Sequence, residues 1–133
     1  VGTLIDTSIF IAAERGQLDL GGVIADEEDD DVAMAAITAS ELLVGVQLVK
    51  STVGRVRTMQ AVERWLEAVP AVPFDLEIAR THALLSAQLH AAGTPIGAHD
   101  LLIAATAVWL DYRIATRDLR SFPRIRGLDV VRW

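Results

Sequence analysis

Leu4-Ile5-Asp6-Thr7-Ser8 is the stretch whose reading decides the fold. A short apolar run ends on an aspartate, and a helix-starting serine follows at once. That is the pattern of a buried strand with an acid at its C-terminal tip, turning directly into a helix. Open α/β sheets bind their ligands outside the carboxyl ends of the strands. Asp6 gains meaning only if other acids reach the same edge, and three are candidates: Glu41, Asp100 and Asp118.

Working outward, the first strand is expected over Thr3–Asp6, with Ser8 capping a helix Ile9–Arg15 that Gly16 ends. A second helix is expected over Leu18–Ala25 and a second strand over Val32–Thr38. A helix then starts at Thr38 and runs to about Lys50. Val56, Met59, Val62, Leu66 and Val69 recur at helical spacing in a long amphipathic helix from about Val53 to Val69. Pro70 and Pro73 bracket a short strand, Ala71–Phe74. Asp75 caps the next helix, which reaches Ala92 and stops at Gly93. After a loop over 94–97, the segment Ala98–Leu110 is almost wholly apolar and is expected to be a buried helix. A strand Arg113–Ala115, a turn at Pro123 and a last strand Asp129–Arg132 close the chain. Strands alternating with helices imply a parallel sheet covered on its faces.

The 133 residues fit one domain, taken as 1–133, with a core of useful size. The apolar fraction of 52% and mean hydropathy of +0.36 exclude a disordered chain. Absence of cysteine removes disulfides, thiolate zinc sites and cysteine nucleophiles, and is compatible with a cytoplasmic protein. No signal peptide is visible, the apolar run Leu101–Leu110 is too short to span a bilayer, and no membrane partner is expected. Because the chain starts at Val1, an initiator methionine is expected to precede it.

The net charge of −6 looks unsuited to nucleic acid, but its distribution matters more than its sum. Six consecutive acids, Asp26 to Asp31, account for the whole imbalance. This run precedes the second strand, so it belongs at the edge opposite the strand tips. It lacks the glycine and terminal glutamate of a calcium loop and reads as a solvated connection. Eleven of the twelve basic residues are arginine, and Arg113, Arg117, Arg120, Arg124, Arg126 and Arg132 crowd the last stretch. Arginine forks suit bidentate phosphate contacts; a solvated basic face is the plainer alternative.

Asp6 ends the first strand, Glu41 lies in the first turn after the second, and Asp118 follows the strand ending at Ala115. In a parallel sheet these three emerge at one edge. Asp100 sits in the first turn of the apolar helix, where a carboxylate needs a partner or a use. Each acid has an ordinary structural explanation. Thr38-Ala39-Ser40-Glu41 matches a capping box, Asp118 could cap a turn, Asp100 could favour a helix N-terminus, and Asp6 could be a loop acid. Together they are harder to explain, since two carboxylates ~4 Å apart repel by about 4 kcal/mol at an effective dielectric near 20. A proton or a hard cation relieves that repulsion, and Mg²⁺ or Mn²⁺ suits an all-oxygen set that also meets phosphates. Such a site can activate water against a phosphodiester. No G-x-S-x-G or P-loop is present. His82 and His90 read as surface or packing residues, and His99 is expected to point to a different face from Asp100.

With these residues in place, the chain resembles the PIN-domain ribonucleases, specifically the VapC-type toxins of toxin–antitoxin pairs. The matching pieces are Leu4-Ile5-Asp6-Thr7-Ser8, Thr38-Ala39-Ser40-Glu41-Leu42, Gly97-Ala98-His99-Asp100-Leu101-Leu102-Ile103-Ala104-Ala105, Ala115-Thr116-Arg117-Asp118 and Gly127-Leu128-Asp129-Val130. No single motif is specific; the ordered set is. The resemblance implies a three-layer fold with a parallel sheet of order 3-2-1-4-5 between helices. It implies that Asp6, Glu41, Asp100 and Asp118 gather Mg²⁺ or Mn²⁺, with Ser8 and Thr116 as supporting hydroxyls. It also implies a VapB-type antitoxin partner, and a homodimer or toxin–antitoxin hetero-oligomer. The helix Val53–Val69 with Leu42, Leu43 and Val46 is the expected apolar groove for the antitoxin.

The leading expectation is metal-dependent endonucleolytic hydrolysis of RNA. Asp6 and Asp100 are the first choice of metal ligands, Glu41 and Asp118 complete the site directly or through water, and Arg117, Arg120 and Arg124 are possible phosphate contacts. One rival is a Mg²⁺-dependent phosphatase or phosphoryl-transfer domain. A receiver of that kind wants a lysine at a later strand tip, and a dehalogenase-type phosphatase wants an aspartate where Ser8 stands. The other rival is a catalytically inactive PIN-like module whose acids bind a partner's arginine.

Overall fold

A computed structural model describes residues 2–27 and 30–133. In chain order it contains β1 (Gly2–Ile5), α1 (Thr7–Glu14), α2 (Leu20–Asp26), β2 (Asp31–Ala35), α3 (Ala36–Gln47) and α4 (Thr52–Ala68). There follow β3 (Ala71–Val72), α5 (Leu76–Ala91), α6 (Ala98–Leu110), β4 (Arg113–Ala115), a 3₁₀ turn (Phe122–Arg124) and β5 (Val130–Val131). The strands form one sheet of order β3-β2-β1-β4-β5, the expected 3-2-1-4-5, and every pairing is parallel.

Side chains on successive strand residues point to opposite faces, and here that alternation divides the core in two. Leu4, Ala33, Ala35 and Ile114 face a cluster built with Ile78, Leu85 and Leu89 of α5 and with the apolar side of α6. Ile5, Met34 and Ala115 face the other way, onto Ile9 and Phe10 of α1, Leu42 and Val46 of α3, and Val62 of α4. The central strands are therefore apolar on both sides, as parallel strands between helical layers must be.

Several expected boundaries shift. β1 ends at Ile5, and Asp6 rather than Ser8 caps α1, its side chain accepting the Ser8 N–H. The second helix begins two residues late because Asp19 caps it at the Gly22 N–H. The second strand stops at Ala35 and α3 starts at Ala36, with no side-chain cap. The capping box at Thr38 does not form, and Glu41 lies in the second turn of α3. Packing overrides the local signal here: Thr38 is fully buried, and Ile37 packs against the α5–α6 core. On α4, Val62 is buried and Met59 and Leu66 pack partly, but Val56 is exposed, beyond the edge of the contact. α6 is buried through Ala107, but Val108 and Trp109 open to solvent.

The described part of the acidic run lies at the N-terminal edge of the sheet, where Asp31 opens β2. It is not merely solvated. Glu27 pairs with Arg113 Nη2, while Arg113 Nε donates to Thr3 Oγ1 at 2.8 Å. The Tyr112 hydroxyl donates to Asp31 at 3.4 Å. Glu28 and Asp29 of the run, and Val1, lie outside the described residues. Among the described residues, no helix is long and apolar enough to cross a membrane.

Candidate metal centre at the strand tips

Asp6 leaves β1 at the sheet's C-terminal edge, anchored by its own N–H to the Ala115 carbonyl of β4 at 2.9 Å. Its side chain is only 4% exposed. Oδ2 accepts the Ser8 hydroxyl at 2.6 Å, the Thr116 hydroxyl at 2.8 Å and the Ser8 N–H at 3.4 Å. Those hydroxyls are themselves oriented from behind. Arg117 N–H donates to Ser8 Oγ at 3.0 Å, and Asp118 N–H donates to Thr116 Oγ1 at 2.9 Å. Two backbone amides thus set two hydroxyls, and both hydroxyls are aimed at one carboxylate oxygen. Oδ1 has no protein donor among the described residues and is not sealed from solvent.

Ser8 and Thr116, expected as supporting hydroxyls, both donate to Asp6 Oδ2. Fully buried Thr116 belongs to it because its N–H is held by the Val131 carbonyl of β5 at 3.0 Å, which fixes the loop leaving β4. Asp118, two residues on, accepts the Arg120 N–H at 2.9 Å in an Asx turn.

Glu41 comes from α3. Thr7 Oγ1 lies 3.0 Å from Glu41 Oε1 and 3.1 Å from Thr38 Oγ1, so residues of α1 and α3 hold the glutamate in place. His99, expected on a different face from Asp100, reaches Glu41. Its Nδ1 sits 3.7 Å from Glu41 Oε2, because the first turn of α6 faces α3 and the imidazole reaches across. Thr7 carried a signal in its place between Asp6 and Ser8. Thr38 and His99 carried none, since their partners are set by how α3 meets α1 and α6.

Asp100, also on the first turn of α6, is held above the ordinary carboxylate range. Burial is the main cause, and the charges of Asp6, Asp118 and Glu41 add to it; a hydrogen bond with the Ser121 side chain pulls the other way. The field of all three other acids therefore converges on Asp100. Sequence gave no hint of Ser121, which comes to this edge only through the turn after β4.

Among the described residues, no three aspartate, glutamate or histidine side chains close tightly enough to hold a metal ion by themselves. Mg²⁺ keeps several waters and is bound through one or two carboxylates together with substrate phosphate. An open Oδ1 on Asp6 and a crowded, half-buried Asp100 are the oxygen donors such an ion requires.

Of the arginines expected near phosphate, Arg117 directs Nε to the Trp133 carbonyl at 3.0 Å and Nη2 to the Gln17 carbonyl at 3.4 Å. Arg124 directs Nη1 to the Pro95 carbonyl at 2.8 Å. Arg120 is exposed and has no acidic partner within ion-pair distance among the described residues.

The PIN domain profile matches residues 3–128. The chain belongs to the PIN domain family. Ribonuclease VapC1 of Rickettsia felis is 34% identical over 131 residues, covering 98% of this chain and 96% of that relative. VapBC-5 from Mycobacterium tuberculosis, a member of the VapBC family of toxin–antitoxin systems, superposes with a TM-score of 0.76. The match is 29% identical and covers 98% of this chain and 96% of that one. VapBC2 from Rickettsia felis, solved bound to a DNA fragment from its promoter, superposes with a TM-score of 0.89 over 100% of this chain and 99% of that one. At 22% identity the likeness to VapBC2 speaks for the PIN fold alone.

Proposed function

We propose that this chain, as one nuclease unit over 1–133, is a divalent-cation-dependent endoribonuclease of the cytoplasm. It is the toxin of a VapBC-type pair, held by a VapB-type antitoxin. One observation carries the chemistry: Asp100 is desolvated and faces the charges of Asp6, Glu41 and Asp118. The 34% identity to a VapC ribonuclease supports the substrate.

Asp6, through Oδ1, and Asp100 would hold Mg²⁺ or Mn²⁺, with Glu41 and Asp118 acting through water. A bound ion supplies positive charge that polarises the phosphodiester and makes a neighbouring water easier to deprotonate. The chain's own residues do the positioning. Ser8 and Thr116 hold Asp6 in place through hydrogen bonds to one oxygen, and Thr7 aims Glu41. Hydrolysis breaks one P–O bond of the RNA backbone, and water supplies the new oxygen.

The antitoxin's seat needs revision at two positions. Leu42 and Val46, expected in the groove, are core residues. The apolar surface available beside α4 is a groove on α3, lined by Leu43, Val44 and Leu48.

The test is cleavage of total RNA by the protein freed of antitoxin, with mapped ends, in Mg²⁺ and in EDTA. Cleavage is expected in Mg²⁺ and absent in EDTA. Asp6→Asn and Asp100→Asn should each lower it at least about 100-fold, the upper range for losing even an outer-shell partner of a metal. Unchanged Mg²⁺-dependent cleavage in both variants would end this reading.

A further inference from the structure

An open cleft of about 640 Å³ lies beside the acids, lined by Arg117, Asp118, Leu119, Arg120, Ser121 and Arg132. One of these residues belongs to the site already described: Asp118 is one of its carboxylates. The cleft is therefore continuous with the place where a phosphodiester would be cut. Its three arginines differ in what their guanidinium groups do. Arg117 is tied to the Trp133 and Gln17 carbonyls, which holds the end of the chain against the loop after β4. Arg132 precedes Trp133, so that anchor also sets the backbone from which Arg132 projects. Arg120 and Arg132 are both exposed and without acidic partners within ion-pair distance among the described residues.

We infer that Arg120 and Arg132 form a phosphate subsite, which grips the RNA backbone next to the phosphodiester being cut. This rests on the ribonuclease reading above and adds to it where the substrate is held. The physical need is plain. Four carboxylates repel a polyanion, and an ion at Asp6 and Asp100 attracts only the phosphate it touches. Guanidinium forks a short distance along the strand supply attraction that does not compete for that ion, with the planar geometry that matches phosphate oxygens. An antitoxin carboxylate is the other conceivable occupant. RNA is favoured because Asp118, one of the four acids, lines the cleft beside two exposed cations, which suits a repeating anion.

The experiment uses a single-stranded RNA oligonucleotide in EDTA, so that binding is read without cleavage. Each phosphate contact on a single strand contributes a slope of about 0.7 to log K against log salt. The double variant Arg120→Gln/Arg132→Gln should therefore lose about 1.4 from that slope. In the Mg²⁺ cleavage assay its KM should rise about 10-fold, with kcat within about 2-fold. Arg120→Lys/Arg132→Lys, which keeps the charges, should recover most of the slope, and Arg57→Gln on α4 should leave it unchanged. An unaltered slope in the glutamine variant overturns the subsite, as does retained RNA binding with antitoxin affinity lost. If the wild-type protein binds RNA with the expected slope but cleaves none, the ribonuclease reading fails while the subsite stands.

Discussion

At the scale of single residues, Asp6 shows how a carboxylate is prepared. One oxygen is saturated by Ser8 and Thr116, and the other is left open. Thr116→Val keeps the shape and removes the hydroxyl, leaving Asp6 under-supported and the Asp118 N–H without its acceptor. RNA cleavage should fall by about 10–100-fold, as for other outer-shell partners of metal ligands. Stability should fall by only about 1–3 kcal/mol, which a thermal melt would report. Asp100 makes the opposite case, because burial and its neighbours raise it. The folded chain then binds this proton more tightly than the unfolded chain does. Charging Asp100 is a penalty that is absent below the unfolded carboxylate value of about 3.9. The penalty grows as pH rises through the window up to the raised folded value, and it is fully present above that window. Metal-free Asp100→Asn should consequently melt higher than the parent at pH 7, and the difference should shrink as the pH is lowered toward 4. A variant melting lower at pH 7 would mean that Asp100 is not under that strain.

At the scale of elements, the site is made by how strands pass into helices. α1 leaves β1 through Asp6 with a side-chain cap, whereas α3 leaves β2 through Ala35 with none. α3 is instead held by what it buries, namely Thr38, Leu42 and Val46. α4 buries little and depends more on local signals. Its Ser51 cap accepts the Gly54 N–H at 3.0 Å. Ser51→Ala should cost about 1 kcal/mol, lowering Tm by roughly 4 °C without changing RNA cleavage. The α3 surface proposed to seat the antitoxin contributes little to the core, since Leu48 is 74% and Val44 53% exposed. Val44→Glu/Leu48→Glu should weaken antitoxin binding at least about 10-fold in a titration, the loss expected when apolar interface anchors of 1.4 kcal/mol or more are removed. The metal site should be untouched.

At the scale of the whole molecule, the two apolar clusters hold the sheet, and the sheet holds the acids. Phe122, fully buried beneath the turn after β4, supports the loop that carries Ser121. Phe122→Ala should destabilise the fold by about 3–5 kcal/mol, measured by denaturant unfolding. It should also cut cleavage by more than the folded fraction explains, because the loop carrying Asp118 and Ser121 would lose its support. At the opposite edge, Glu27, Arg113 and Thr3 tie α2 to β4 and β1. Part of the acidic run is therefore structural.

Residue order was enough to establish the parallel sheet and its helical cover, and it pointed to four acids at one edge. Strand direction and side-chain alternation depend on period and spacing, which are local properties. Helix starts were misjudged where burial outweighed capping, as at Thr38, and where an acid capped its own helix, as at Asp6. The partners of Glu41, the orientation of His99, the hydroxyl on Asp100 and the arginines tied to carbonyls depended on contacts between distant elements. The physical reason is one of range. Periodicity and capping act within a few residues, whereas a carboxylate's charge state and an arginine's availability depend on whatever packing brings to within a few ångströms.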